Sequence, residues 1–211
     1  VWLGNYRNVL LEEGANAQYS AFIADKIRSR VNDPELAEKL IPRDHGFGTR
    51  RVPLETNYYE AYNRDNVRLV DLNETPIECI TESGVRTTSE DHEFDLIVYA
   101  TGFDAITGAF DKINIEGARG NKLREKWEEG PITFLGLQAH GFPNMMTLAG
   151  PQGASVSSNF PRAIEDAVDW ATAFIGHFRE HGYQRFEPEK DAETDWLEHV
   201  KSGYDMMLLT K

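Results

Sequence analysis

Four stretches of the sequence carry residue types that do chemistry. Gly48-Thr49-Arg50-Arg51 sets two adjacent guanidiniums behind small residues. A guanidinium grips phosphate or carboxylate through parallel N–H donors and keeps its charge when partly buried. The pair suits anion recognition, or it is a solvated pair offset by Asp44 and Glu55. In Ala100-Thr101-Gly102 an apolar run ends on small residues, which let backbone approach a planar or phosphorylated ligand closely or simply make a tight exit. Gly150-Pro151-Gln152 leads through Ala154, Ser155, Val156 and Ser157 to Asn159 and Phe160, where a long helix is expected to begin. The unpaired N–H groups of a helix start favour an electron-rich group, and Ser157, Ser158 or Asn159 also suit an N-cap. Finally, His177-Phe178-Arg179-Glu180-His181 matches the H-x-x-E-H pattern of inverted zinc peptidases. It sits at a helix end one residue before Gly182, with 30 residues left to supply a third ligand, so no metal site is expected.

These residues need elements to hold them. Residues 15–31 have helical apolar spacing, and Asp33-Pro34 reads as an N-cap followed by a first helical position. A short helix over 35–40 should stop before Pro42. Composition changes near residue 42, where an irregular connection carries the arginines. Strands are expected at 67–70, 77–80, 85–88, 94–100, 133–137 and 145–148. The run Leu96-Ile97-Val98 does not alternate, as in a strand buried on both faces. Cys79 is expected to be a buried core thiol. A short helix is expected near 122–128. A continuous apolar stripe from Ala163 to Phe178 gives the long helix, which Gly182 should end, and 192–200 gives a final acidic amphipathic helix. No G-x-G-x-x-G and no G-x-x-x-x-G-K occurs, so the usual phosphate cradles are missing.

Composition bounds the answer. The chain has 211 residues, 35 acidic and 22 basic, for a formal net charge of −13. That charge repels a phosphate backbone and argues against a nucleic-acid role, which leaves Arg50-Arg51 a local exception. At 40% hydrophobic residues the chain can fill a core, and no apolar run is long enough for a membrane span. One cysteine permits no internal disulfide and suits a reducing, cytoplasmic compartment. The start at Val1-Trp2-Leu3-Gly4, with no initiator Met and no signal-peptide pattern, suggests a piece of something longer.

Taken in order, the motifs resemble the C-terminal portion of Baeyer–Villiger monooxygenases of the cyclohexanone and phenylacetone monooxygenase type. The matching pieces are Lys26-Ile27-Arg28 with Asp33-Pro34, Gly48-Thr49-Arg50-Arg51, Thr56-Asn57-Tyr58-Tyr59-Glu60 with Tyr62-Asn63-Arg64, and Asn66-Val67 through Asp71. They continue with Ala100-Thr101-Gly102-Phe103-Asp104-Ala105, Thr107-Gly108, Trp127, Gly130-Pro131, Leu135-Gly136, Gly141-Phe142-Pro143-Asn144, Gly150-Pro151, Asn159, Ile164-Glu165 and Trp170. Where the family often has Ser-Pro-Ser, this chain has Gly153-Ala154-Ser155.

The resemblance implies an α/β fold, the C-terminal portion of a flavoprotein with two dinucleotide-binding domains, for FAD and NADP, and a helical insertion. On that pattern residues 1–46 end the helical insertion, 47–99 close the NADP-binding domain and 100–211 form the returning half of the FAD-binding domain. It implies conversion of ketones to esters or lactones with NADPH and O₂ through a C4a-peroxyflavin. N-hydroxylating or S-oxidising flavin enzymes, or a non-catalytic α/β partner-binding module, are the alternatives. Arg51 matches the family's active-site arginine and Arg50 the neighbouring cation near the NADP 2′-phosphate. Ala100, Thr101 and Gly102 match the turn between the cofactor sites. Gly150, Pro151, Gln152, Asn159 and Phe160 match the region beside the flavin, and Ala154, Ser155, Val156 and Ser157 the substrate loop. The implied partners are a small ketone, O₂ and the N-terminal remainder of the same protein. Without that remainder no turnover is expected.

Overall fold

In the computed structural model, the structure describes residues 8–153 and 159–208. The chain divides into two compact units, Val1–Gly102 and Phe103–Lys211.

The first unit opens with helix α1, Glu13–Arg28, followed by α2, Pro34–Leu40. The Asp33 carboxylate accepts from the Glu35 and Leu36 amides at 2.9 and 3.3 Å, and Pro34 takes the first turn, where no N–H is needed. Ala24, Ile27 and Val31 meet Ala37 and Ile41 in a small core, with Ile23, Leu36, Leu40 and Tyr59 against it. A short helix α3, Tyr58–Ala61, follows the arginine segment.

Beyond it an antiparallel sheet forms from β1, Ile77–Ile80, β2, Gly84–Thr87, and β3, Asp91–Glu93, in that order. The register pairs Ile80 with Val85 and Val85 with His92. Gly84 permits the close pairing, since a Cβ there would lie 1.8 Å from the His92 carbonyl oxygen. Two of the expected strands are therefore present, at 77–80 and 84–87. Cys79 is exposed rather than buried, because both faces of β1 are uncovered and all four of its residues are exposed.

The second unit contains α4, Gly108–Asp111, a 3₁₀ turn at Ala118–Gly120, α5, Leu123–Lys126, α6, Phe160–Glu180, and α7, Lys190–Asp205. Leu123, Trp127, Ala139 and Phe142 form its core, and the Trp127 indole donates to the Ile132 carbonyl at 2.9 Å. Trp170, Phe174 and Phe178 form a row of ring contacts along α6, and Phe186, beyond that helix, meets Phe178 edge-on. The Asn144 side chain pairs with the backbone at Phe186 and Gln184, which pins the segment between the last two helices.

The expected strands at 67–70, 94–100, 133–137 and 145–148 join no ladder among the described residues. Leu96 and Val98 are 78% and 77% exposed. An apolar run becomes a buried strand only when neighbours pair with it, and none of the described strands does. Residues 133–137 instead make a turn closed by a single bridge between Phe134 and Gln138. The apolar stripe of α6 is similarly uncovered at Ile164, Val168 and Ile175.

Candidate cofactor and active-site residues

The arginine segment of the first unit is built on α1. Asn16, buried within that helix, donates to the Val9 and Phe47 carbonyls at 2.8 and 2.9 Å. The Ser20 hydroxyl donates to Asn16 Oδ1 and accepts from the Phe47 amide at 3.0 Å. The Tyr19 and Phe47 rings lie 4.4 Å apart. Two polar helix residues thus fix the backbone immediately before Gly48. Gly48 itself adopts φ 77°, which a side chain would disfavour.

Arg50 and Arg51 then line a cavity of about 550 Å³ whose wall includes Ile23, Ala24, Ile27 and Ile41, with Glu55, Tyr58 and Tyr59 beside the arginines. Apolar walls with a few convergent polar groups are the usual make-up of a small-molecule site. Arg50 lies 3.0 Å from Asp44, both well exposed. A surface pair of this kind is weak, so the guanidinium can exchange Asp44 for a stronger anion. The His45 ring, followed by the Asp44 amide, holds the Asp44 carboxyl below the usual range.

On the far side Arg30 fixes the segment after Arg51. It donates to Glu60 at 2.6 and 2.8 Å and to Glu55 at 2.5 Å, and it lies over the Tyr59 ring. Glu55 also accepts from the Tyr58 amide at 2.8 Å. The Arg30 hydrogen bond is the chief reason the Glu55 and Glu60 carboxyls are pushed down. Ala100, Thr101 and Gly102 are exposed, with Gly102 at φ 86°.

In the second unit Gly150, Pro151 and Gln152 form a compact turn, closed by the Gly153 amide on the Gly150 carbonyl at 3.0 Å. The Thr147 amide donates to the Leu137 carbonyl at 2.8 Å, and its hydroxyl reaches the Gly136 carbonyl at 3.3 Å. The Gln152 amide group is engaged within the protein, with Thr133 and with the Pro131 carbonyl. Asn159 is the N-cap of α6: its Oδ1 accepts from the Arg162 amide at 3.3 Å, and Pro161 sits in the first turn. Phe160 is exposed beside it. Ala154, Ser155, Val156 and Ser157, expected to form the substrate loop, lie outside the described residues.

The His177 and His181 rings lie 4.1 Å apart, but His181 Nδ1 is 2.8 Å from the His177 carbonyl. No group of three or more potential ligands that could hold a metal occurs among the described residues. No described helix is long and apolar enough to cross a membrane. Sequence reasoning missed Asn16, Ser20 and Thr133. Asn16 and Ser20, four apart on one helix, were the available signal; nothing local marked Thr133.

No family model matches the chain. Individual proteins do. It is 46% identical, along its whole length, to 2-oxo-Δ³-4,5,5-trimethylcyclopentenylacetyl-CoA monooxygenase of Pseudomonas putida, covering 39% of that protein. It is 38% identical to cyclopentanone 1,2-monooxygenase of a Comamonas strain, over 212 residues and 38% of that protein. Among solved structures, OTEMO in complex with FAD and NADP matches with a TM-score of 0.91 at 46% identity, covering 96% of this chain and 38% of that one. The mixed helix-and-sheet fold is part of the architecture of flavoprotein monooxygenases with FAD and NADP domains. Within that class the chain is similar along its length to Baeyer–Villiger monooxygenases. It spans about two fifths of the length of the curated relatives it matches.

Proposed function

We propose that this chain is the latter part of an FAD- and NADPH-dependent Baeyer–Villiger monooxygenase that converts ketones to esters or lactones with O₂. The carrying observation is the likeness over 96% of the chain, at 46% identity and a TM-score of 0.91, to OTEMO solved with both cofactors. In that protein residues 1–46 would end a helical insertion, 47–99 close the NADP domain and 100–211 return to the FAD domain. The uncovered apolar residues at 94–100 and along α6 support a partner in the N-terminal remainder of the same protein. A single cysteine and the absence of a crossing helix among the described residues support a cytoplasmic setting.

The residues present suit the cofactors. Adjacent, well-exposed guanidiniums suit a dinucleotide phosphate, and the start of the 21-residue α6 suits an electron-rich ring edge. When bound, the flavin supplies the oxygen-transfer chemistry, using electrons from NADPH. Arg51 offers a fixed positive charge to the oxyanion that develops as the ketone carbonyl is attacked. Arg50 holds the 2′-phosphate that separates NADPH from NADH. Ala100, Thr101 and Gly102 let the backbone approach between the cofactors. Gly150, Pro151, Gln152, Asn159 and Phe160 flank the ring, while Ala154, Ser155, Val156 and Ser157 shape the ketone pocket.

The test joins this chain to its N-terminal remainder, supplies FAD, NADPH and a cyclic ketone, and looks for lactone. Arg51→Ala should abolish lactone formation, whereas Arg50→Ala should chiefly weaken NADPH. Normal lactone formation by Arg51→Ala overturns the site assignment. Oxidation of an amine or sulfide in place of the ketone overturns the reaction class. The 211 residues alone should show no ketone-dependent NADPH oxidation.

A further inference from the structure

The turn at 149–153 holds two non-glycine residues in the left-handed region, Ala149 at φ 52° and Gln152 at φ 61°. Residues with a Cβ avoid that region and stay in it only where their surroundings over-determine them. Gln152 is over-determined. Its Oε1 accepts from the Thr133 hydroxyl at 2.8 Å, and its Nε2 donates to the Pro131 carbonyl at 3.1 Å. Thr133 is 1% exposed, and its hydroxyl also lies 3.3 Å from the Pro151 carbonyl. A hydroxyl has one proton, and here both acceptors that compete for it belong to the same turn. The turn is also confined by Gly136, where a Cβ would stand 2.2 Å from Gly153 Cα.

We propose that Thr133 is a positioning residue: its hydroxyl latches Gln152 and so holds the strained 149–153 turn in the shape that flanks the flavin ring. The inference rests on the family reading, which puts this turn beside the flavin. Thr133 touches neither cofactor nor substrate; it acts through Gln152. Without its proton, Gln152 loses the partner of its carbonyl oxygen and can leave the left-handed region. The backbone of Pro151 and Gly153 then moves with it.

The experiment uses the full-length enzyme with FAD. Thr133→Val removes the hydroxyl and keeps the shape, while Thr133→Ser keeps the hydroxyl. Three readouts are taken: amide exchange across 149–153 without FAD, the FAD dissociation constant, and the fraction of consumed NADPH that yields ester. In Thr133→Val, exchange at the Gly153 amide should rise and FAD should bind more weakly, each by about tenfold, the effect of one lost hydrogen bond. More NADPH should also be spent without product. Thr133→Ser should restore all three. If Thr133→Val does not fold, Thr133→Ala also removes the hydroxyl and should give the same shifts. Wild-type exchange and FAD binding in Thr133→Val overturn the latch alone. Equal damage in Thr133→Ser and Thr133→Val also overturns it, since packing would then be the cause. A wild-type enzyme that binds no FAD overturns the family reading and the proposal together.

Discussion

Lys126 Nζ lies 2.6 Å from the Glu193 carboxylate, joining residues 67 apart in the chain. Glu193 is buried on α7 and also accepts from the His140 amide at 2.8 Å, while Lys126 donates to the His140 carbonyl at 3.1 Å. The pair clasps the His140 turn from both sides. Removing one member of a buried pair strands the other. Lys126→Met should therefore cost about 3 kcal/mol. Glu193→Gln should cost less, because the amide oxygen still accepts from His140 and the lysine can reach solvent. Urea unfolding of both variants checks this; equal losses would contradict it.

The Arg30 cluster should contribute to the acid limb of stability. Arg30 holds the Glu55 and Glu60 carboxyls below their ordinary value of 4.5. Folding thus disfavours their protonation, and the stabilisation is present above 4.5 and is lost as pH falls through the folded-state values. Arg30→Met should flatten the profile of Tm against pH in that window. Parallel wild-type and variant profiles would contradict the assignment.

Tyr62 should mark the alkaline limb. Its hydroxyl lies 3.0 Å from that of Tyr58, and this bond, with burial second, pushes its pKa up to about 12. The neutral form is favoured on folding, so the stabilisation is present below the ordinary value of 10.0 and disappears as pH rises through about 12. Tyr58→Phe should move the late-titrating tyrosine down in an ultraviolet titration. An unchanged titration would show that the hydroxyl pair is not the cause.

Asn159→Ala should destabilise α6 by about 1 kcal/mol, the usual worth of an N-cap side chain, and Asn159→Asp should not. Helical circular dichroism followed through urea unfolding measures both.

Cys79, on the exposed β1, should react stoichiometrically with a thiol reagent in the folded protein. Reaction only after denaturant would restore the buried thiol expected from its strand pattern.

The sequence by itself determined the elements whose signals are local. Asp33-Pro34 caps α2, Asn159-Phe160-Pro161 starts α6, and Gly182, at φ 69°, follows the end of that helix. Such features depend on the chemistry of residues within a turn of each other, so adjacent letters suffice. Ordered along the chain, the Arg50-Arg51 and Gly150-Pro151 motifs also carried the resemblance to the Baeyer–Villiger monooxygenases. Tertiary structure decided what depends on distant partners. Leu96-Ile97-Val98 reads as a buried strand but joins no ladder among the described residues, because β structure requires neighbours that a linear pattern does not supply. Cys79 has the alternation of a half-buried strand, and only the placement of β1 put it outside. Asn16 at Phe47, Thr133 at Gln152 and Lys126 at Glu193 are contacts across 31, 19 and 67 residues. A hydroxyl or an amide has no spacing signature for a partner that far away. Its role appears only when the chain has folded and burial limits the partners it can reach.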